Sequence, residues 1–290
     1  MIGLVSHILA ISAIYMILAA SLNLIVGYTG LPALSHAAFY CIGAYTSALL
    51  SVRFGISPWA GLLAGALLAS ICGLIIGLPS IRIGGDFLAL TTFSFGIVIY
   101  TIVRSWDSVT RGPMGIPGIP QLRLFNLSID SPPKFLLLAV IAVLLTMEVL
   151  RRITSSQFGR VLRAIRDDEI AVESIGKNVN RYKLTVFLVG SFFAGISGGL
   201  YAHYIGYIDP SSFTPMESIL ILLMVIFGGM GSLMGSILGA TILTAFPEAL
   251  RFLGMPDSIA APVRQIIYGL LMVVLIIRRS QGLMGRFKFE

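Results

Sequence analysis

Charge is scarce in this sequence. Asp, Glu, Lys and Arg together make up 11% of its 290 residues, against about 25% in an ordinary soluble domain. With 57% of the chain hydrophobic, too few polar side chains remain to cover a surface facing water. Chemistry-bearing patterns are missing as well. There is no G-x-x-x-x-G-K-[ST]; the nearest piece, IGKN (175–178), has Asn where Ser or Thr should reach magnesium. Nucleotide binding on this chain is therefore not expected. No H-E-x-x-H, no C-x-x-C and no paired carboxylates inside an apolar run occur, so neither a metal site nor an embedded enzyme finds its parts here. The two cysteines, Cys41 and Cys72, lie in apolar stretches without ligand-like neighbours and read as small core residues. Period-2 alternation is absent too, which argues against a membrane barrel.

What the sequence does have is long continuous apolar runs. Lipid offers no partner to unpaired backbone groups, so such runs cross a membrane as helices. A crossing takes about 20 residues, and candidates cover 4–26, 33–51, 58–78, 87–104, 134–150, 184–205 and 263–279. The first run has no basic flank before it and is too long for a signal-peptide core, so it reads as a retained helix. The stretches between runs carry turn chemistry: GYTGLP (27–32), FGISP (54–58), RIGGD (82–86), DPSSFTP (209–215) and GMPDS (254–258). The longest connection opposite the basic loops, 105–133, holds GPMGIPGIP (112–120), which cannot continue a helix. The fold class expected is an all-α polytopic membrane protein of about 8–10 spanning helices, one domain over 1–290.

The formal charge of +7 would suggest nucleic acid in a soluble protein. Here the cations gather in two places. Loop 151–183 holds eight of them, the C-terminal tail holds Arg278, Arg279, Arg286 and Lys288, and loop 206–216 holds none. That asymmetry fits anchoring on the cytoplasmic side, with no nucleic-acid partner. If loop and tail share a side, an even number of crossings separates them, and segment 217–248 must cross twice or not at all. Its 32 residues reach only about 48 Å as helix, short of two full crossings of about 30 Å. A hairpin of short helices hinged at Gly228, Gly229, Met230 and Gly231 resolves the count. A single long tilted helix with a misplaced tail is the competing reading. A second interruption, GYTGLPALSH (27–36), sits in the other half, and paired interruptions hint at a repeat with the transport route between them.

Small-residue pairs four apart (Gly61/Gly65, Gly73/Gly77, Gly195/Gly199, Gly231/Gly235 and Gly235/Gly239) let helices approach closely in lipid, mostly within the chain, with one or two available for a partner. Glu148 precedes Arg151 and Arg152 at pairing distance, and Glu217 suits the positive end of the helix it opens. Polar, uncharged candidates for a translocation route are Asn23, Ser35, His36, Thr91, Thr92, Ser94 and Ser232; hydrogen bonding between helices explains each of them equally well.

The dense mixed-charge segment SSQFGRVLRAIRDDEIAVESIGKNVNRYKL (155–184) stands apart. Read as helix over 158–176, it puts Val161, Ile165, Val172 and Ile175 on one stripe with Leu162 beside them. Asp167, Asp168 and Glu169 favour the start of a second short helix, and Gly176 is a natural stop. Either the element lies on anionic lipid, or its stripe inserts into a groove on a cytoplasmic protein. Four acids within 167–173 weigh against lipid and favour docking.

RAIRDDEIAVESIGKNVNRYKL (163–184) resembles the cytoplasmic loop of ATP-binding-cassette (ABC) importer permeases, with its acidic residue followed by a fixed glycine. LNLIVGYTGLPALSHAAFYCIGAYTSALL (22–50), FLALTTFSFGIVIY (87–100), TRGPMGIPGIP (110–120), GYIDPSSFTPMESILILLMVIFGGMGSLMGSILGA (206–240) and RRSQGLMG (278–285) extend the likeness along most of the chain. The family it resembles is the branched-chain amino acid importer permeases of the LivM type. That resemblance implies ABC importer permease architecture in a bacterial or archaeal cytoplasmic (inner) membrane. It implies a second homologous permease, two cytoplasmic ATPase subunits that hold the ATP and magnesium, and a periplasmic or lipid-anchored binding protein. No cofactor is expected on this chain. By position, Glu173 and Gly176 match the loop's acidic and glycine positions, and Arg163, Asp167, Asp168 and Glu169 fall where the ATPase groove would lie. Ser174 stands where the motif has Ala.

Overall fold

The computed structural model describes residues 2–83, 85–124, 127–129, 131–252, 269–270 and 282–285. The expected helix 263–279, apart from residues 269–270, and the four tail cations lie outside the described residues. Within them the chain is almost wholly helical, as its apolar runs require. In order come α1 (Ile2–Thr29), α2 (His36–Arg53), α3 (Pro58–Ile83), α4 (Gly85–Ser105), α5 (Asp107–Thr110), α6 (Pro132–Ser155), α7 (Gln157–Asp167), α8 (Glu169–Ser174), α9 (Val179–Ile205), α10 (Pro215–Gly228) and α11 (Leu233–Phe252).

Five of these, α1, α3, α4, α6 and α9, are long and apolar enough to cross a membrane. Outward faces of α4 and α6 carry Phe87, Leu90, Leu137, Leu144 and Leu145, each more than 60% exposed. Such a surface would drive aggregation in water and is ordinary against lipid. The chain is a multi-pass membrane protein. α2 departs from the expected spanning segment 33–51. It starts at His36, is less apolar than the spanning helices, and buries most of its length. Protein rather than lipid surrounds it, so its sequence tolerates Tyr, Ser and Thr.

α2, α3 and α9 form one tightly packed layer. Glycine brings them together: a Cβ on Gly43 would strike the Gly195 backbone, one on Gly65 would sit 2.6 Å from the Gly43 oxygen, and one on Gly198 would strike Tyr40 O. Gly73, Gly77 and Gly199 likewise face Ser191, Phe187 and Leu62 of the neighbouring helices. Without a hydrophobic drive between helices in lipid, such close van der Waals contact is what holds them. All of these glycines pack within the chain. α1 runs through the middle, touching α6, α9, α10 and α11.

The end opposite loop 151–183 is closed by the 106–131 connection. Its β1 (Ile116–Pro117) pairs with a two-residue strand at Tyr207–Ile208, and Arg123–Leu124 pairs with Leu127–Ser128. Arg53 donates to Ser108 O and Val109 O, both at 2.7 Å, and Trp59 Nε1 donates to Arg123 O at 2.7 Å. These straps tie the ends of α2 and α3 to the connection.

Candidate coupling element and interior helix break

Loop 151–183 forms the pair of short helices that its acidic run allows. α7 is capped by Ser156, whose Oγ accepts from Gly159 N at 3.5 Å. It ends at Asp168, where the backbone is extended and the side chain accepts from Ala171 N at 3.0 Å to start α8. The Asp167–Asp168–Glu169 run thus stops one helix and caps the next. α8 closes on Gly176 at φ +78, with Gly176 N on Glu173 O (2.9 Å) and Lys177 N on Val172 O (3.3 Å). This is a Schellman ending, and the left-handed residue it needs is glycine.

The apolar stripe foreseen for docking is divided. Leu162, Ile165 and Val172 are buried against the protein's own body, the latter two packing with Val179 and Tyr182 at the base of α9. They anchor the element, so they are not available to a groove. The apolar side chains left outside are Ile170 at 76% exposure and Ile175 at 73%, with Asp167, Asp168, Glu173, Gly176 and Lys177 exposed around them.

Two of the charges predicted to meet a partner are engaged inward. Arg163 Nη1 donates to Thr154 O at 3.0 Å, covering the last turn of α6. Glu169 takes both oxygens to Lys183 Nζ at 2.6 Å, and Lys183 is only 3% exposed. Glu169→Ala would leave that ammonium buried and unpaired, costing about 1–3 kcal/mol once the half-exposed carboxylate is allowed for. Lys183→Met should cost less. The thermal midpoint of the purified protein should fall by several degrees in the first variant and by clearly less in the second.

Arg166, which the sequence did not single out, reaches furthest. Its guanidinium donates to Gly27 O at the end of α1, and its stem packs over Gly30. Burial pulls its pKa down, while neighbouring Asp167 pushes it back up.

Directly behind Gly27 lies the second feature. α10 and α11 form the foreseen hairpin, folded back at 228–232, with Gly228 against Gly235 and Gly239 against Met224 so closely that no Cβ fits. Gly229 (φ +115) and Gly231 (φ +73) make the reversal. At about 21 Å, α10 is shorter than a bilayer core. Asn23 of α1 ties the break together. Its Nδ2 donates to Ser232 O (2.8 Å) and Ser236 Oγ (2.6 Å), and its Oδ1 accepts from Gly231 N (2.9 Å). The C-terminal turn adds Leu283 N to Phe227 O (3.0 Å) and Met284 N to Gly228 O (2.9 Å). The two interruptions noted in the sequence are therefore in contact.

The remaining route candidates scatter. His36 Nε2 pairs with Ser21 Oγ at 2.8 Å, and Ser35 precedes it at the start of α2. Thr92 accepts from Leu34 N at 3.0 Å, steadying the 30–35 segment. Thr91 bonds its own helix at Phe87 O, and Ser94 is exposed on α4. The structure thus joins Asn23 to Ser232 and Ser35 to His36, but forms no single lining from the seven.

Residues 4–276 match the family described as "Branched-chain amino acid transport system / permease component". This chain belongs to that permease family. Among its relatives, the "High-affinity branched-chain amino acid transport system permease protein LivM" of Escherichia coli strain K12 is 35% identical over 96% of this chain and 69% of its own length. The "Probable branched-chain amino acid transport permease protein LivM" of Methanocaldococcus jannaschii is 27% identical, covering 97% and 93%. The "High-affinity branched-chain amino acid transport system permease protein LivH" of Salmonella typhimurium is 22% identical, covering 95% and 92%. Relatives named LivM and LivH thus each match nearly the whole of this chain.

Proposed function

We propose that this chain is the membrane-spanning permease subunit of an ATP-driven importer of branched-chain amino acids. It sits in a bacterial or archaeal cytoplasmic membrane beside a second, LivH-like permease. Two cytoplasmic ATPase subunits carry the ATP and magnesium, and a binding protein delivers the cargo from outside; the chain itself hydrolyses nothing.

One observation carries the mechanical part: the exposed tip of α7–α8 is wired to the interior break. Ile170, Ile175 and Glu173 face outward for an ATPase groove. Leu162 and Ile165 lock the element to the body. Arg166 grips Gly27 O, and one turn back along α1 Asn23 holds Gly231, Ser232 and Ser236. When the ATPases close, displacement of the tip is passed to the end of α1 and so to the hinge between α10 and α11. Coupling requires that the tip contact the two ATPase states differently.

The test is reconstitution. The permease pair, the ATPases and the binding protein in liposomes should take up leucine, isoleucine and valine only with ATP inside. Uptake by this chain alone under an ion gradient would instead identify a secondary carrier or channel. Uptake of urea or short amides in preference to the amino acids would overturn the substrate assignment.

A further inference from the structure

The first turn of α10 carries a carboxylate, Glu217, partly buried against the middle of α1 while Met216 before it is exposed. Glu217 accepts a hydrogen bond from the Tyr15 hydroxyl. Tyr15 is near the middle of α1, about 20 Å from either end by helical rise. Among the described residues no lysine, arginine or histidine pairs with Glu217. An ionisable group at this depth is costly in a membrane protein and marks a functional position unless a partner explains it. A favourable position at the start of a helix supplies only part of that explanation.

The surroundings hold further unexplained polarity. The next residue, Ser218, accepts from Ala37 N at 2.9 Å, so the starts of α2 and α10 meet there. Around this meeting point three fully buried polar atoms lack a hydrogen-bond partner: Ser35 Oγ, His36 Nδ1 and Tyr40 Oη. The Tyr40 hydroxyl lies near Glu217, Tyr15 and Tyr201. Its ring packs 5.5 Å from Tyr201 and 4.9 Å from Phe213, on the segment entering from the far end of the bundle. Buried polar groups are nearly always satisfied, so orphans near a carboxylate with no cationic partner among the described residues point to a polar occupant.

We propose that Glu217 is the point inside this subunit at which the ammonium group of a passing amino acid is recognised. Tyr15 holds the carboxylate when no substrate is present. The ammonium displaces that hydroxyl, and the orphaned hydroxyls and imidazole nitrogen at the start of α2 receive the other end of the zwitterion. The aromatic faces of Tyr40, Tyr201 and Phe213 suit an aliphatic side chain. This rests on the amino acid reading given above and revises the expectation of a route with no fixed charge.

The experiment uses the complete importer in liposomes with radiolabelled leucine. Glu217→Gln keeps the size of the side chain and can still accept from Tyr15, but removes the charge. Uptake should fall at least tenfold while the complex still assembles, and Glu217→Asp should restore most of it. Gln-variant uptake within twofold of wild type would show a hydrogen-bonding strut and overturn the proposal. Should that variant fail to assemble, the wild-type complex decides. Modification of Glu217 by dicyclohexylcarbodiimide, read by peptide mass spectrometry, should slow at least threefold with saturating leucine and not with 4-methylpentanoate, which lacks the amine. Equal rates with and without leucine would equally overturn it. If the wild-type complex carries none of the three amino acids, the substrate reading itself fails; if it carries them and Glu217→Gln does so as well, only this inference fails.

Discussion

Gly229→Leu should reduce transport at least tenfold while leaving the subunit in the membrane and bound to its partners. Gly229 has φ +115, where a residue with a Cβ pays about 1–2 kcal/mol of backbone strain. The added carbon would also overlap the Gly285 backbone and the Met284 carbonyl carbon. Relief of that overlap means moving the 282–285 turn off the break. The bonds from Leu283 N and Met284 N are then lost, about 0.5–1.5 kcal/mol each. The break would persist in a displaced form, which is why the expected defect is in switching rather than insertion. ATP-dependent leucine uptake, normalised to assembled complex, is the measurement. Gly3→Leu is the control, since nothing lies within 4 Å of a side chain there. Wild-type uptake by Gly229→Leu would remove the hinge from the mechanism.

The second large effect concerns the tip of α7–α8. Changing both Ile170 and Ile175 to Asp should abolish co-purification of the ATPases. Burying an isoleucine contributes about 1.5–3 kcal/mol, so losing two weakens binding by two orders of magnitude or more. Because both side chains are exposed in the free subunit, the variant should keep its own thermal stability. Glu173→Lys, a charge reversal on the same exposed surface, should weaken the pull-down less and still uncouple ATP hydrolysis from uptake. Leu162→Asp should behave differently: that residue is fully buried, so the element itself should come loose and stability should fall. If the double Asp variant retains its ATPases, the exposed tip is not the docking surface.

Much of the architecture is legible in the sequence because each signal is local. Apolar runs mark the helices, Asp168 and Gly176 carry their own capping chemistry, and Gly228–Gly231 cannot continue a helix. The interrupted segment 217–248 is read as a hairpin from charge asymmetry and length alone, and the chain does reverse there. Where the reading departs from the structure, the cause is non-local. The stripe of α7 looks like a docking face because amphipathicity says which residues want burial and not what buries them; α9 and α1 use most of it. Arg163 and Glu169 look available until the end of α6 and the buried Lys183 are brought beside them. Glu217 looks like an ordinary helix-opening carboxylate because nothing in its neighbours along the chain reveals that Tyr15, in the middle of α1, lies against it.

By itself the sequence determined that this is a helical membrane protein, where its turns fall, and which family it belongs to. These follow from transfer of side chains into lipid and from backbone preferences that act over a few residues. Only the tertiary structure decided that the two glycine-rich interruptions touch, that Arg166 and Asn23 connect the coupling tip to them, and that Glu217 of α10 takes the hydroxyl of Tyr15 from the middle of α1. Those are contacts between residues up to about two hundred positions apart, and such pairings depend on how helices pack rather than on what any one stretch prefers.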